Sequence, residues 1–479
     1  MVFPADFVGC RFKVVQHLRL GDVPRTHVGE ERHIRRMSLV DAALALLPTS
    51  VSAGSWEETL ECMAAGHRII VDPVLSYTAD GMVLSIEPEA LIRIGEDSEP
   101  AHTWRYAPLI VSTHQVLYRD EKRTCQVIDT HRIGQTKPVT GHFAPRHHTL
   151  DGYRLSLSAL ALRELGQDSS VGFCVGQELT MAYVGPTEPL HRATLNALTA
   201  PLPQRPVRVK ECAAGCRYWQ YCEPDLIARD DISLVLPGGR ADTFREKGIE
   251  TVQGLIDADL GQPSQIAQAW REGIVAMKKH DQVTAPRFDV EIDIDLEAYM
   301  GAGVYLWGTY DGSTYTPFVT WEELGGEAEA RNFAELWTYL QDMRASAPQS
   351  FAAFCFANGG ENHWLRRSAR RFAPLRDRRH LHTLPTVEEV EQFIASPQWI
   401  DVFKLVKSQL VGTNGLGLKT VAPLAGFTYA DEDVNGEASL ELYDAGERER
   451  LLAYNRDDCV ATAKVRHWLA NGAPGIPLL

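Results

Sequence analysis

The period of the hydrophobic pattern changes along the chain, and the changes divide it into three stretches. Over the first 225 residues, short apolar runs at 67–74, 82–86 and 107–112 predict strands, and longer stretches at 38–47 and 151–165 predict helices. After a Pro-rich stretch at 201–206 the pattern from 230 to about 282 turns helical. Ala285-Pro286-Arg287 reads as the end of a linker. A second α/β pattern follows, with an alternating strand at 288–296, strands at 303–310 and 313–320, and a helix at 328–345. The expected organisation is a multidomain α/β chain: 1–225 α/β, 226–283 helical, 284–479 α/β.

Length supports that division, because 479 residues exceed what one core comfortably serves. With 44% apolar and 23% charged residues the composition is that of an ordinary globular protein. No apolar run approaches the roughly 20 residues that cross a bilayer. The start Met-Val-Phe-Pro-Ala-Asp lacks a basic-then-apolar leader pattern, so a cytoplasmic location is expected. A net charge of -15 argues against a protein that coats nucleic acid nonspecifically. It leaves room for a nuclease, whose metal ligands are themselves acidic.

Nine cysteines are scattered along the chain, a pattern that suits metal ligands better than a disulfide framework. Three of them, Cys212, Cys216 and Cys222, form a C-x3-C-x5-C cluster that can converge on one inorganic centre. Cys10, set among aromatic and basic residues in Phe-Val-Gly-Cys-Arg-Phe, is the natural fourth ligand. This set resembles the iron–sulfur clamp of RecB-like nucleases, in which one N-terminal and three C-terminal cysteines bracket the nuclease core. The resemblance implies a [4Fe-4S] cluster; an all-cysteine set also suits zinc.

Between those cysteines RecB-like enzymes carry an Asp at one strand and Asp or Glu, any residue, then Lys on the next. Here Glu89 resembles the first acid, but Ile110 and Ser112 occupy the next positions. The resemblance therefore implies a degenerate nuclease fold used for binding or scaffolding, unless Lys122 or Lys137 moves in. His102, His114, His142, His147 and His148 lack the paired helical spacing of a zinc site. In the middle stretch, residues 236–255 resemble a helix-hairpin-helix unit whose glycine turn could face a phosphate; a glycine-broken pair of packing helices is the alternative.

The sharpest chemistry lies further on. Asp289, Glu291, Asp293, Asp295 and Glu297 alternate with Val290, Ile292, Ile294 and Leu296, so one strand face carries five acids. Such a face is costly unless cations neutralise it. Asn358-Gly-Gly-Glu361 then runs into a helix, and Tyr454-Asn-Arg-Asp457-Asp458 lies inside one.

Together these segments resemble the three motifs of the DEDD 3′–5′ exonucleases of the ribonuclease-H-like class, in the version whose third motif is Tyr, three residues, then Asp. The whole chain resembles two-part bacterial proteins, predicted nucleases, that join a RecB-like half to such a domain. The resemblance implies catalytic residues Asp295, Glu297, Glu361, Tyr454 and Asp458, with Tyr454 orienting the attacking water. Two Mg2+ or Mn2+ ions would be held by Asp295, Glu297, Glu361 and Asp458, with Asp293 a further or alternative ligand. Glu361 stands where the family has Asp.

Arg366, Arg367, Arg370 and Arg371 follow Glu361 in a basic run that could meet DNA or RNA, single-stranded by the resemblance, with Trp364 and Trp399 as stacking candidates. Residues 412–420 nearly spell a phosphate-binding loop. An extra residue between Gly417 and Lys419, and the expectation that no apolar strand precedes them, argue against ATP. The competing reading is a noncatalytic nucleic-acid-binding or scaffold protein in which both nuclease halves have decayed.

Overall fold

The computed structural model describes residues 3–79, 81–95, 104–213, 215–299, 302–431 and 438–479. Asp80 and His102 lie outside them. The chain divides into two compact units, Met1–Glu246 and Lys247–Leu479. The division falls inside the stretch expected to be one helical segment. The short helix Asp242–Arg245 belongs to the first unit, and the helices Val252–Asp257 and Gln262–Arg271 belong to the second. The strand Ala276–Lys278 also interrupts that stretch, pairing antiparallel with Leu410–Gly412.

The first unit is built on an eight-stranded sheet. Ala90–Ile94 pairs antiparallel with Ile69–Val71 on one side and Arg105–Val111 on the other, and Val171–Val175 lies parallel to Arg105–Val111. The intervening helix, Thr149–Glu164, is buried at every position from Leu155 to Leu162, which explains why its sequence reads as an apolar run rather than an amphipathic stripe. The helix His27–Ala45 starts at Thr26, whose side chain accepts from the Gly29 N–H and donates to the Gly215 carbonyl at 2.9 Å. One threonine thus caps a helix and anchors the cysteine loop to it.

The second unit carries a five-stranded sheet in the order Tyr315–Val319, Gly303–Tyr310, Val290–Tyr299, Phe351–Cys355, Trp399–Asp401. The first three strands are antiparallel and the last two join parallel. Ile292 and Ile294 point into a core with Trp307, Phe333, Trp337 and Phe372 beneath the helices Glu327–Ser346 and Gly359–Phe372. On the opposite face lies the C-terminal helix Arg448–Ala470. The strand's alternation is therefore real, but its acids face a helix, with Asp293 fully buried and Glu297 7% exposed.

The linker end expected at Ala285 is instead core: Val283 and Ala285 are buried with Phe354, Val406 and Trp468. A strand does precede the loop at 412–420, Leu410–Gly412, and the helix that follows, Leu418–Val421, is a single turn. No helix among the described residues is long and apolar enough to cross a membrane.

Candidate active site

Asp295, Glu297 and Asp458 bring one carboxylate oxygen each to within 4.8 Å of one another. The strand Val290–Tyr299 supplies the first two, two residues apart on one face, and the C-terminal helix supplies the third. The register slips between Glu297 and Ala298, a bulge that ends the regular pairing just after the second acid.

Neutral donors hold these carboxylates. The Asn455 side-chain amide donates to Asp295 Oδ2 at 2.8 Å and accepts from the Tyr315 hydroxyl at 2.8 Å. Ser439 Oγ donates to Glu297 Oε2 at 3.0 Å. Asp458 accepts from the Tyr429 hydroxyl at 3.0 Å and also from Tyr454. Asn455 can approach only because Gly308 leaves room: a Cβ there would stand 1.7 Å from Asn455 Oδ1.

Three crowded acids, Glu297 and Asp458 buried and Asp295 half-buried, repel ionisation. Burial, followed by the charges of Asp458, Glu297 and Glu361, pushes Asp295 well above the usual carboxylate range. Burial and Asp458 lift Glu297 to about 8. Burial raises Asp458 despite its two phenol donors and the nearby Lys419 ammonium. Lys419 lies 5.2 Å from the Tyr429 ring centre and 5.5 Å from that of Tyr454. The residue set aside as a phosphate-loop lysine thus stands beside the acid cluster.

Glu361 is buried at the start of its helix, and burial lifts its carboxyl to about 7. It acts on Asp295 through charge but stands outside the close group of three. Asp293, counted among the ligands from its sequence position, faces Arg466. That guanidinium meets both Asp293 oxygens at 2.8 Å, bonds Glu291, and lies 4.4 Å from the Phe354 ring centre. Burial lifts Asp293 to about 6 against this pairing. For the half-buried Glu291, partial burial pushes upward, but the bonds from Arg466 and the Phe288 N–H outweigh it and draw the carboxyl below its ordinary value. The counter-charge expected from cations is supplied at this end of the strand by the protein itself.

The basic run is largely committed within the domain. Arg366 bonds Glu391 at 2.9 and 3.0 Å, and Arg371 pairs with Glu329 at 3.8 Å and donates to the Ala302 carbonyl. Arg370, 64% exposed, reaches Glu391 only at 3.8 Å, and Arg367 lies over Trp364 at 5.0 Å. Trp399 is core, its Nε1 donating to Asn362 Oδ1. Sequence reading missed Tyr429, Asn455, Ser439 and Gly308, because none belongs to a spaced motif. Only Asn455, beside Tyr454, carried a positional hint.

In the first unit, Cys10, Cys212, Cys216 and Cys222 line one cavity with Gln16, whose amide lies 3.3 Å from Cys222 Sγ. Burial, with the charges of the other thiols, raises Cys212 to about 11 and also raises Cys10 and Cys222. Among the described residues no three of these thiols draw within the 4.8 Å that groups the three acids. Glu89 is buried between Arg36 and Arg154, the latter at 2.6 Å, and accepts from the Val111 N–H at 2.7 Å. Lys122 and Lys137 are exposed in loops, and the cations at Glu89 are arginines. Ile110 is core, and the Ser112 hydroxyl donates to Asp151 at 2.5 Å. His114 and His148 stack at 3.9 Å, while His147 packs edge-on to Tyr183.

An RNase H superfamily family model matches residues 292–470, a span that runs from the acid-bearing strand to the end of the C-terminal helix. No curated protein matches the chain. The match supports an RNase H-like domain in the C-terminal part; domains of that superfamily usually bind divalent metals and suggest a nuclease-type function.

Proposed function

We propose that this protein is a metal-dependent 3′–5′ exonuclease acting on single-stranded DNA or RNA, with its chemistry in the C-terminal domain. The observation that carries the reading is the convergence of Asp295, Glu297 and Asp458, whose hydrogen bonds come from neutral donors. Buried carboxylates that repel one another without an ion-pair partner are costly unless a cation joins them. Hard oxygen donors select Mg2+ or Mn2+ over softer metals. Asp295, Glu297 and Asp458 would hold such ions, with Glu361 reaching one from its helix. Bound there, divalent ions supply Lewis-acid activation of water and stabilise the departing 3′ oxygen.

The chain's own groups do the rest. Asn455 and Ser439 fix the carboxylate orientations, as hydrogen bonds from surrounding groups do for ligands generally. Tyr454, beside all three acids, orients the attacking water. Lys419 offers an ammonium to the substrate phosphate, and Arg370 and Arg367 with Trp364 track the strand. In the first unit the four cysteines fit a [4Fe-4S] cluster by their chemistry: four thiols line one apolar-walled cavity. The RecB-like core around Glu89 acts as a binding or scaffolding half, because two arginines occupy the place of its metal.

The test is degradation of end-labelled single-stranded DNA and RNA with Mn2+ or EDTA by protein purified anaerobically. Metal-dependent shortening from the 3′ end, lost in Asp458→Ala, is expected. Binding without cleavage under every condition would overturn the reading in favour of a scaffold.

A further inference from the structure

Two tyrosines meet one carboxylate at the candidate metal centre, and their positions differ in kind. Tyr454 precedes Asp458 by four residues on the same helix, so a bond between them lies along that helix and ties Asp458 to nothing outside it. Tyr429 comes from a separate segment, and its hydroxyl reaches Asp458 Oδ1 at 3.0 Å in a buried bond. Two further bonds fasten the residues just after the tyrosine to the same helix. The Ala430 N–H donates to Asp457 Oδ2 at 3.0 Å, and Asp431 accepts from Arg450 at 2.7 Å. The Tyr429 ring is itself fixed, 9% exposed in a core with Val421, Val465 and Trp468 and edge-on to Phe427 at 5.1 Å.

The surroundings of the two hydroxyls differ as well. Tyr454 feels the charges of Asp458, Glu297 and Asp295, the full triad. The charges acting most on Tyr429 are those of Asp458, Asp295 and Asp457, so Asp457 takes the place that Glu297 has for Tyr454. A phenol held by core packing and aimed at one oxygen of a ligand fixes that ligand's rotamer. A phenol facing three acids is placed to touch what those acids hold.

Resting on the proposed function, we infer that Tyr429 is the positioning residue for Asp458: it presets the metal-binding carboxylate, while Tyr454 is left to the substrate side. The division of labour separates metal affinity from turnover. Removing a hydrogen bond to a metal ligand typically costs about 10- to 100-fold in affinity or activity.

Full-length Tyr429→Phe, Tyr454→Phe and wild-type proteins would be titrated with Mn2+, following bound ion by electron paramagnetic resonance, and assayed for cleavage at saturating Mn2+. Tyr429→Phe is expected to weaken Mn2+ binding by about 10-fold or more and to regain near wild-type kcat once metal saturates. Tyr454→Phe is expected to bind Mn2+ as the wild type does and to lose kcat. Unchanged Mn2+ affinity in Tyr429→Phe, with the circular-dichroism spectrum of the wild type, overturns the inference, as does the reverse split between the two variants. A misfolded Tyr429→Phe is replaced by Phe427→Leu, which loosens the ring's packing and should weaken Mn2+ binding in the same direction; unaltered affinity there also overturns it. Because the Mn2+ titration needs no turnover, a wild type that binds Mn2+ but cleaves nothing defeats the nuclease reading while the Tyr429 comparison still decides the inference.

Discussion

Each unit buries acids at a place the sequence marks for a nuclease, and the two places treat their charge in opposite ways. Glu89 is enclosed by Arg36 and Arg154 and takes a further bond from the Val111 N–H, so its charge is answered within the fold. Asp295, Glu297 and Asp458 are met by an amide, a hydroxyl and two phenols. A guanidinium beside a carboxylate satisfies it as completely as a metal would, and permanently. Neutral donors orient a carboxylate and leave its charge to be claimed. The same contrast recurs along one strand, where Arg466 closes Asp293 while Asp295, two residues on, has no such partner among the described residues.

The largest effect should come from the open site. Asp458→Ala or Asp295→Ala is expected to reduce cleavage to background, by at least about 1000-fold, and to abolish Mn2+ binding, while Glu89→Ala leaves kcat unaltered; end-label assays on the three variants check this. Loss of activity in Glu89→Ala alone would move the chemistry to the first unit.

Stability should respond the other way round. Breaking a buried ion pair from one side typically costs about 3 to 5 kcal/mol, so Glu89→Gln is expected to destabilise the first unit by roughly that amount in urea unfolding. Asp458→Asn, which relieves repulsion, should leave the metal-free protein as stable as the wild type or more so.

The pH dependence sharpens the comparison further. Glu297 ordinarily titrates at 4.5 but sits at about 8 in the fold. The fold therefore favours its protonated form. That contribution is fully present below about pH 4.5 and is lost as pH rises through about 8. In EDTA, thermal stability should fall over that window. Added Mn2+ should restore more of it at the alkaline end, since bound metal needs deprotonated ligands. A metal-induced increment that shrinks with rising pH would contradict the picture.

A smaller effect is expected from Gly308→Ala. Its methyl would displace Asn455 from Asp295, and kcat should drop by about 10-fold or more with little change in nucleic-acid affinity measured by fluorescence anisotropy.

Much of this was legible in the residues. The strand at 303–310 and the helix at 328–345 were read within a residue, because long periodic patterns specify their elements. Alternation placed Asp295 and Glu297 on one strand face with three other acids, and i, i+4 spacing placed Tyr454 and Asp458 on one helix face, while the choice among those acids came from the resemblance to the DEDD exonucleases. What lay beyond reach was long-range. That Asp293 would meet Arg466, 173 residues away, leaves no local trace, and neither does Tyr429 arriving at Asp458. The arginines after Glu361 looked like a free basic track because Glu391 and Glu329, which engage three of them, lie on other elements. The strand Ala276–Lys278 was missed because a three-residue strand carries too little periodicity to outweigh the helical pattern around it.

Arg466 has a consequence for how the domain comes into being. A protein whose acidic strand depended wholly on divalent ions would have to wait for them before its sheet and C-terminal helix could close. Here the guanidinium belongs to the same polypeptide and is 1% exposed in the fold, so two of the five alternating acids share a counter-charge that needs no ion. Under the proposed function, this pairing lets the sheet and the C-terminal helix close at Glu291 and Asp293 without the ions that Asp295, Glu297 and Asp458 would hold.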